Sequence, residues 1–315
     1  MRKINNVNLK EIGNSTGKSR FNKGIKKTVL SMALLAVLAM TACSSGQKKT
    51  EITGAAAESG SSSEKSTENP GNAADGKKAA VEKTGEIFIA AAASMKPVME
   101  EVLIPGFVKA NPGCTVTGTY DSSGKLQKQI EEGLGADLFL SAATKQMDAL
   151  NEEGLVDKDS VTMLLENQIV LIVPEGSEGD YTAFADIEKA STIAIGDPDS
   201  VPAGQYAHEA LTQMGLWDSL EDRFSLGTNV TEVLNWVAEG SADAGIVYAT
   251  DAATTDRVKV IAPAPEGSLA KRVLYPAAIL SDTKDHDGAA LFLEYLKSSE
   301  ASEAFTSYGF TPLAE

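Results

Sequence analysis

Across residues 86–315 the apolar positions switch back and forth between two spacings. "EIFIAA" (86–91) is a short apolar run suited to a buried strand, and Met95, Val98, Met99, Val102, Leu103 and Phe107 then recur at helical spacing. Pro97 falls in the first turn of that helix, where a missing N–H is tolerated. Asn111-Pro112-Gly113 closes the unit. The same grammar repeats. A strand around Thr115–Thr117 precedes a helix marked by Leu126, Ile130 and Leu134, closed by Gly133 or Gly135. "ADLFLSA" (136–142) precedes a helix over 145–153 that stops at Gly154. Strands are predicted at 167–174, 192–197, 243–249, 258–264 and 273–280, and helices at 203–214, from Val230 to Ala238, and at 288–297 and 300–308. Alternating strands and helices predict an α/β fold with parallel sheets covered by helices on both faces.

The pattern is absent before residue 86. Residues 1–27 are basic, with Lys23, Lys26 and Lys27 close together, and an apolar run from Val29 to Met40 follows. That run falls short of the ~20 apolar residues a spanning helix needs. A basic start, a short apolar stretch and the small residues Thr41-Ala42 before Cys43 read as a secretory signal over 1–42. The arrangement resembles the lipobox of bacterial lipoproteins, in which Cys43 becomes the lipidated first residue of the mature chain; an uncleaved signal anchor is the alternative. Residues 43–85 are rich in Ser, Gly, Ala, Glu, Lys and Thr, with Ile52 and Val81 the only large aliphatics. Such a stretch buries too little apolar surface to offset its ordering entropy, and is expected to be a flexible tether.

Charge divides the chain at the same place. The first 85 residues hold 14 of the 28 basic and 7 of the 44 acidic residues, which leaves 14 and 37, a net charge of −23, for the remainder. That excludes nucleic-acid binding through a basic face. The remainder has one cysteine, Cys114, at the head of a β-branched run, so it is expected to be a packed core thiol with no internal disulfide.

In open α/β sheets ligands bind beyond the carboxyl ends of strands, at the N-termini of the following helices. Four predicted strand-to-helix turns are built from small or hydroxyl residues: Ala92-Ala93-Ser94-Met95, Tyr120-Asp121-Ser122-Ser123-Gly124, Val201-Pro202-Ala203-Gly204 and Gly227-Thr228-Asn229-Val230. The first turn of a helix carries N–H groups with no intrahelical partner, and the helix dipole adds partial positive charge there. An anion can accept those N–H bonds where no side chain bars its approach. Ala203 and Gly204 are expected to leave the approach open, with Ser94 and Ser123 adding hydroxyl donors. Taken singly, Ser94, Ser123 and Asn229 are ordinary N-cap residues. Acidic charge does not forbid an anion ligand, since long-range repulsion is screened within ~8 Å at physiological salt. Asp121, Asp197 and Asp199 are then expected to point away from the socket.

Enzymatic readings lack their parts. The histidines are His208, expected on a solvated helix face, and His286. Gly118 to Lys125 is a near miss for a phosphate-binding loop, with five residues between its glycines instead of four and Leu126 in place of Ser or Thr. No His/Cys cluster for a metal and no calcium-loop grouping of acidic residues is present.

The segments "IAAAASMKPVMEEV", "YDSSGKLQKQIEEGLGADLFLSA", "IAIGDPDSVPAGQYAHEAL" and "AGIVYATDA" resemble, in order, the molybdate-binding proteins of ABC transporters, and the similarity runs from about residue 86 to "YGFTPL" near the end. The resemblance implies a two-lobe, type II periplasmic-binding-protein-like fold with the oxyanion in the interlobe cleft. Lobe 1 would comprise 86–166 and 265–315, and lobe 2 would comprise 167–264. It implies an extracytoplasmic receptor, not an enzyme, that delivers molybdate, and with it tungstate, to an ABC permease. The receptor would be a monomer held at the membrane through Cys43, with no cofactor and no protein-bound metal cation. Carried over by motif, the ligand contacts would be the hydroxyls and amides of Ser94 and Ser123, the backbone N–H groups of Ala203 and Val230, and the phenol of Tyr248. Whether Ser122 or Ser123 faces the ligand rests on register alone. The resemblance places Ser94 and Ser123 on one lobe and the other three contacts opposite, so that a bound anion bridges the lobes. A tungstate- or sulfate-specific receptor and an anion-transfer enzyme using the same helix ends are the alternatives.

Overall fold

The computed structural model describes residues 85–313. The signal segment, Cys43 and the tether up to residue 84 lie outside the described residues. Within them, eleven strands form two sheets. The first has the order β11-β4-β10-β3-β1-β2 and the second β7-β6-β8-β5-β9. We call the first sheet with its helices lobe 1 and the second lobe 2.

Strand β1 (Gly85–Ala92) shows how the apolar pattern becomes architecture. It lies between β2 (Cys114–Asp121) and β3 (Leu138–Leu140), parallel to both. Alternation along the strand sends Ile87, Ile89 and Ala91 into one core and Ala90 into a second with Leu126, Phe139 and Met147. A strand buried on both faces reads as a nearly continuous apolar run, as this one does. Cys114, at the head of β2, is buried. Beyond β1 a 3₁₀ turn, Ala93–Met95, leads into a helical stretch over residues 96–110. Pro97 occupies its first turn, and the segment Met99–Leu103 is a π turn just ahead of Pro105. Proline removes the hydrogen bond to the residue four back, and the widened turn absorbs that loss without ending the helix.

The sheets are mixed, which corrects the expectation of parallel sheets. β1, β2 and β3 run parallel, but β10 (Val273–Ile279) is antiparallel to both β3 and β4 (Thr162–Asn167), and β11 (Thr311–Pro312) is antiparallel to β4. In lobe 2, β6 (Ile193–Gly196) pairs parallel with β7 (Phe224–Gly227) and β8 (Ala244–Tyr248). β5 (Ile169–Pro174) is antiparallel to β8 and to β9 (Val258–Pro263). The reason is topological. β4 leads directly into β5 through Gln168, and β9 returns to β10 through residues 264–272, so these strands enter their sheets from the lobe boundary and not through a crossover helix. The single run predicted from residue 167 is therefore the far side of a crossing, with β4 before it. β7 and β11 also went unpredicted. The helix beginning at Ser123 ends at Glu131, short of Leu134, and Gly133 and Gly135 both adopt positive φ there.

Candidate functional site

Each sheet directs the carboxyl ends of its parallel strands toward the other lobe. β1 ends at Ala92, β2 at Asp121, β6 at Gly196 and β8 at Tyr248. A narrow, nearly closed cavity lies where these ends meet, lined by Ser94, Ser122, Ser123, Ala203, Val230 and Tyr248 together with Asp121, Ala142 and neighbouring small residues. The structure thus brings together all five residues singled out from sequence, Ser94 and Ser123 from lobe 1 and Ala203, Val230 and Tyr248 from lobe 2.

The helix starts differ in a way that bears on chemistry. The 3₁₀ turn beginning at Ala93 and the helices Ser123–Glu131 and Pro202–Gln213 have no side-chain hydrogen bond at their N-caps, which are Ala92, Ser122 and Val201. Their first-turn amides are left for other acceptors. The helix Val230–Ala238 is self-capped: Asn229 Oδ1 accepts from the Glu232 amide at 3.0 Å, and Glu232 Oε2 accepts from the Thr228 amide at 2.6 Å. Asn229 is therefore a cap residue, whereas Ser94 and Ser123 are not.

The hydroxyls are oriented by protein donors behind them. Asn167 Nδ2 donates to Tyr275 Oη at 3.2 Å, and Tyr275 Oη lies 3.0 Å from Ser94 Oγ. Tyr275, accepting from Asn167, can donate onward to Ser94, an arrangement that leaves the Ser94 hydrogen for the cavity. On the second turn, the Ala142 amide donates to Ser123 Oγ at 3.0 Å, which leaves Ser123 likewise as a donor. Ser122 Oγ is buried with no hydrogen-bond partner. A buried unpaired hydroxyl is costly unless something accepts from it, so Ser122 joins Ser123 as a candidate contact. Tyr248 Oη donates to the Ala142 carbonyl at 3.3 Å. Burial raises the pKa values of Tyr248 and Tyr275 well above that of an ordinary phenol, with nearby Tyr and Asp groups adding to the shift, so both remain neutral hydrogen-bond donors.

Asp121 is among the residues lining the cavity, which corrects the expectation that it points away; it is the one charged residue of that lining, and no lysine or arginine belongs to it. The Asp121 carboxylate is engaged: Oδ1 accepts from the Ser122 amide at 2.8 Å and lies 3.3 Å from Lys125 Nζ. Asp197 is likewise held within its own turn, Oδ1 accepting from the Asp199 amide at 3.0 Å and Oδ2 from Ser200 Oγ at 3.4 Å. His208 is exposed and meets Trp217 edge-on, with ring centroids 4.3 Å apart. Gly118 lies within β2 and Gly124 within a helix, so the near-miss phosphate loop is no loop.

Gly204 corrects the expectation of an open approach. It does not line the cavity, and a Cβ on it would overlap the Gly196 carbonyl and meet the Asp197 carbonyl carbon at 3.1 Å. The glycine lets the helix Pro202–Gln213 seat against the end of β6. That contact in turn fixes where Ala203 sits. Sequence reasoning missed Asn167, Tyr275 and Ala142, which orient the hydroxyls. Ala142 ends a predicted strand and carried a positional signal; Asn167 and Tyr275, 108 residues apart, carried none.

The sequence model of the bacterial extracellular solute-binding proteins matches residues 87–311. A putative ABC transporter substrate-binding lipoprotein of Bacillus subtilis, YvgL, is 41% identical over 230 residues, covering 73% of this chain and 88% of its own. The molybdate-binding protein ModA of Haemophilus influenzae is 40% identical over 235 residues, covering 72% and 91%. Among solved structures, the substrate-binding domain of a putative molybdenum ABC transporter from Clostridium difficile superposes with a TM-score of 0.58 at 37% identity, covering 72% of this chain and 99% of that one. The two-lobe architecture is that of the periplasmic binding proteins.

Proposed function

The chain belongs to the bacterial extracellular solute-binding protein family, and we propose that within it the chain captures molybdate, and tungstate with it, in the interlobe cavity and presents it to an ABC permease. The observation that carries this reading is the convergence of Ser94, Ser123, Ala203, Val230 and Tyr248 on one narrow cavity between the lobes, whose lining offers hydroxyl and amide donors and no cationic side chain. A tetrahedral dianion presents four acceptor oxygens and no donor, which such a lining complements. Oriented dipoles in a dry site hold charge more strongly than the same groups in water.

In this reading the Ser94 and Ser123 hydroxyls donate from lobe 1. The Ala203 and Val230 amides and the Tyr248 phenol donate from lobe 2, Tyr248 giving up its bond to Ala142 to do so. An anion touching both lobes favours the arrangement in which they are apposed, by as much as its affinity for that arrangement exceeds its affinity for the other. The reading is of binding and not catalysis, in keeping with the solute-binding family to which the chain belongs. We further propose that the receptor is a monomer tethered through a lipid on Cys43; metabolic labelling with palmitate should mark the wild type and not Cys43→Ser.

Calorimetry with molybdate, tungstate, sulfate and phosphate side by side tests the ligand. Heat at one-to-one stoichiometry from molybdate and tungstate is expected. Binding of sulfate alone would transfer the site to the smaller anion, and no heat from any of the four would remove the oxyanion reading.

A further inference from the structure

The turn "GDPDSVPAG" (196–204) has two halves, and only the second lines the cavity. The first half faces the other lobe. The Gly124 amide donates to the Ser200 carbonyl at 3.0 Å, a main-chain bond that joins a helix of lobe 1 to a turn of lobe 2 directly beside the cavity. Gly124 is the second residue of the helix Ser123–Glu131, so its N–H has no acceptor within that helix. The acceptor is held in place from behind. Within lobe 2, the Ser200 amide donates to the Asp197 carbonyl at 3.1 Å and the Val201 amide to the same carbonyl at 2.7 Å. The Asp197 carboxylate holds the Asp199 amide and the Ser200 hydroxyl. A Cβ on Gly124 would overlap the Ser200 carbonyl oxygen and lie 2.8 Å from Ser200 Cα, against main chain that cannot swing aside as a side chain would.

We propose that the Gly124–Ser200 hydrogen bond is the latch that holds the two lobes together over the ligand, and that residue 124 is glycine because any side chain there bars closure. The proposal rests on the anion-binding reading for its ligand, but not for its geometry. Gly124 is thereby a closure-determining residue that touches no ligand atom, and the acidic half of the turn has a task of its own: Asp197 shapes the acceptor.

Gly124→Ala tests it. Alanine is the better helix former, so ligand-free melting should be unchanged or raised. Molybdate affinity should fall at least fivefold, and molybdate should fail to shrink the radius of gyration measured by X-ray scattering, a decrease expected of the wild type. Lys128→Ala, exposed on the same helix, should do neither. Affinity within fivefold of the wild type, with closure retained, would overturn the latch. If the wild type binds neither molybdate nor tungstate, the ligand reading fails and the latch is judged separately. Amide exchange at Gly124 in the full-length, detergent-solubilised chain should then be slow, and faster in Asp197→Ala. An unprotected Gly124 amide would overturn the proposal whatever the ligand is. The same exchange measurement decides the matter should Gly124→Ala fail to fold.

Discussion

The Tyr248 hydroxyl and the Ala142 carbonyl lie 3.3 Å apart, on opposite lobes, at the edge of the cavity. The phenol is fully buried and stays neutral, so its single hydrogen is available to Ala142 or to a ligand, but not to both at full strength. Tyr248→Phe removes that donor while keeping the ring against Tyr275. Molybdate affinity should fall at least tenfold, since a hydrogen bond to a charged acceptor is worth about 1.5–3 kcal/mol, and the melting temperature should hardly move. Calorimetry paired with a thermal melt checks both halves; a variant binding like the wild type would leave Tyr248 a packing residue.

The two adjacent serines separate by experiment. Ser123 Oγ accepts from the buried Ala142 amide, so Ser123→Ala strands that amide and should cost about 1–2 kcal/mol of stability as well as affinity. Ser122 Oγ is buried with no protein partner, so Ser122→Ala should leave the ligand-free chain as stable as the wild type or more stable, by up to about 2 kcal/mol. A loss of molybdate affinity in Ser122→Ala would make it a ligand contact. Unchanged affinity would return the role to Ser123 alone.

Gly204→Ala should destabilise lobe 2 by roughly 1–3 kcal/mol, the range of overpacked sites, because the added Cβ overlaps the end of β6. The same substitution displaces Ala203, so affinity should fall along with the urea midpoint. A midpoint equal to that of the wild type would show that the helix start shifts freely, which the buried packing of Ala203 and Ala207 argues against.

Asp251, buried behind Tyr248 with Oδ2 unpaired, has its pKa pushed up to about 7 by burial, against a small opposing pull from a backbone bond and Thr250. The sign follows from linkage: the folded chain holds this proton more tightly than the unfolded chain. The stabilisation it contributes is fully present below about pH 4 and is lost as pH rises through about 7. Asp251→Asn should flatten that slope and stabilise the chain above pH 7 by a few kcal/mol, on the order of 1.4 kcal/mol per unit of pKa shift. Denaturation curves from pH 5 to 9 check it; parallel slopes in the two proteins would exclude the effect.

Much of this could be seen in the residue pattern. Apolar runs at period two and helical repeats located most elements, and the small, hydroxyl-bearing turns located the cavity wall. What stayed hidden depends on direction and distance. A run such as "MLLENQIVLIVP" (163–174) does not reveal that the chain changes sheets at Gln168, because apolar residues continue on both sides of the crossing. The short β7, "FSLG", half-polar at the edge of its sheet, has no periodicity to detect. Gly204 looked like a gap left for a ligand, and only the proximity of Gly196 shows that it is filled by backbone. The relay from Asn167 through Tyr275 to Ser94 joins two strands and the turn after a third, so no local window contains it.

The position of β10 reaches beyond binding. This strand sits in the middle of the lobe 1 sheet, between β3 and β4, yet it is made after every strand of lobe 2. As the chain emerges, lobe 2 has all five of its strands by residue 263, while the earlier half of lobe 1 waits as two fragments with open edges until residues 273–279 arrive to join them. The inserted lobe can therefore complete its sheet before the outer one can, and a chain caught before that last central strand docks carries unpaired edges open to its neighbours.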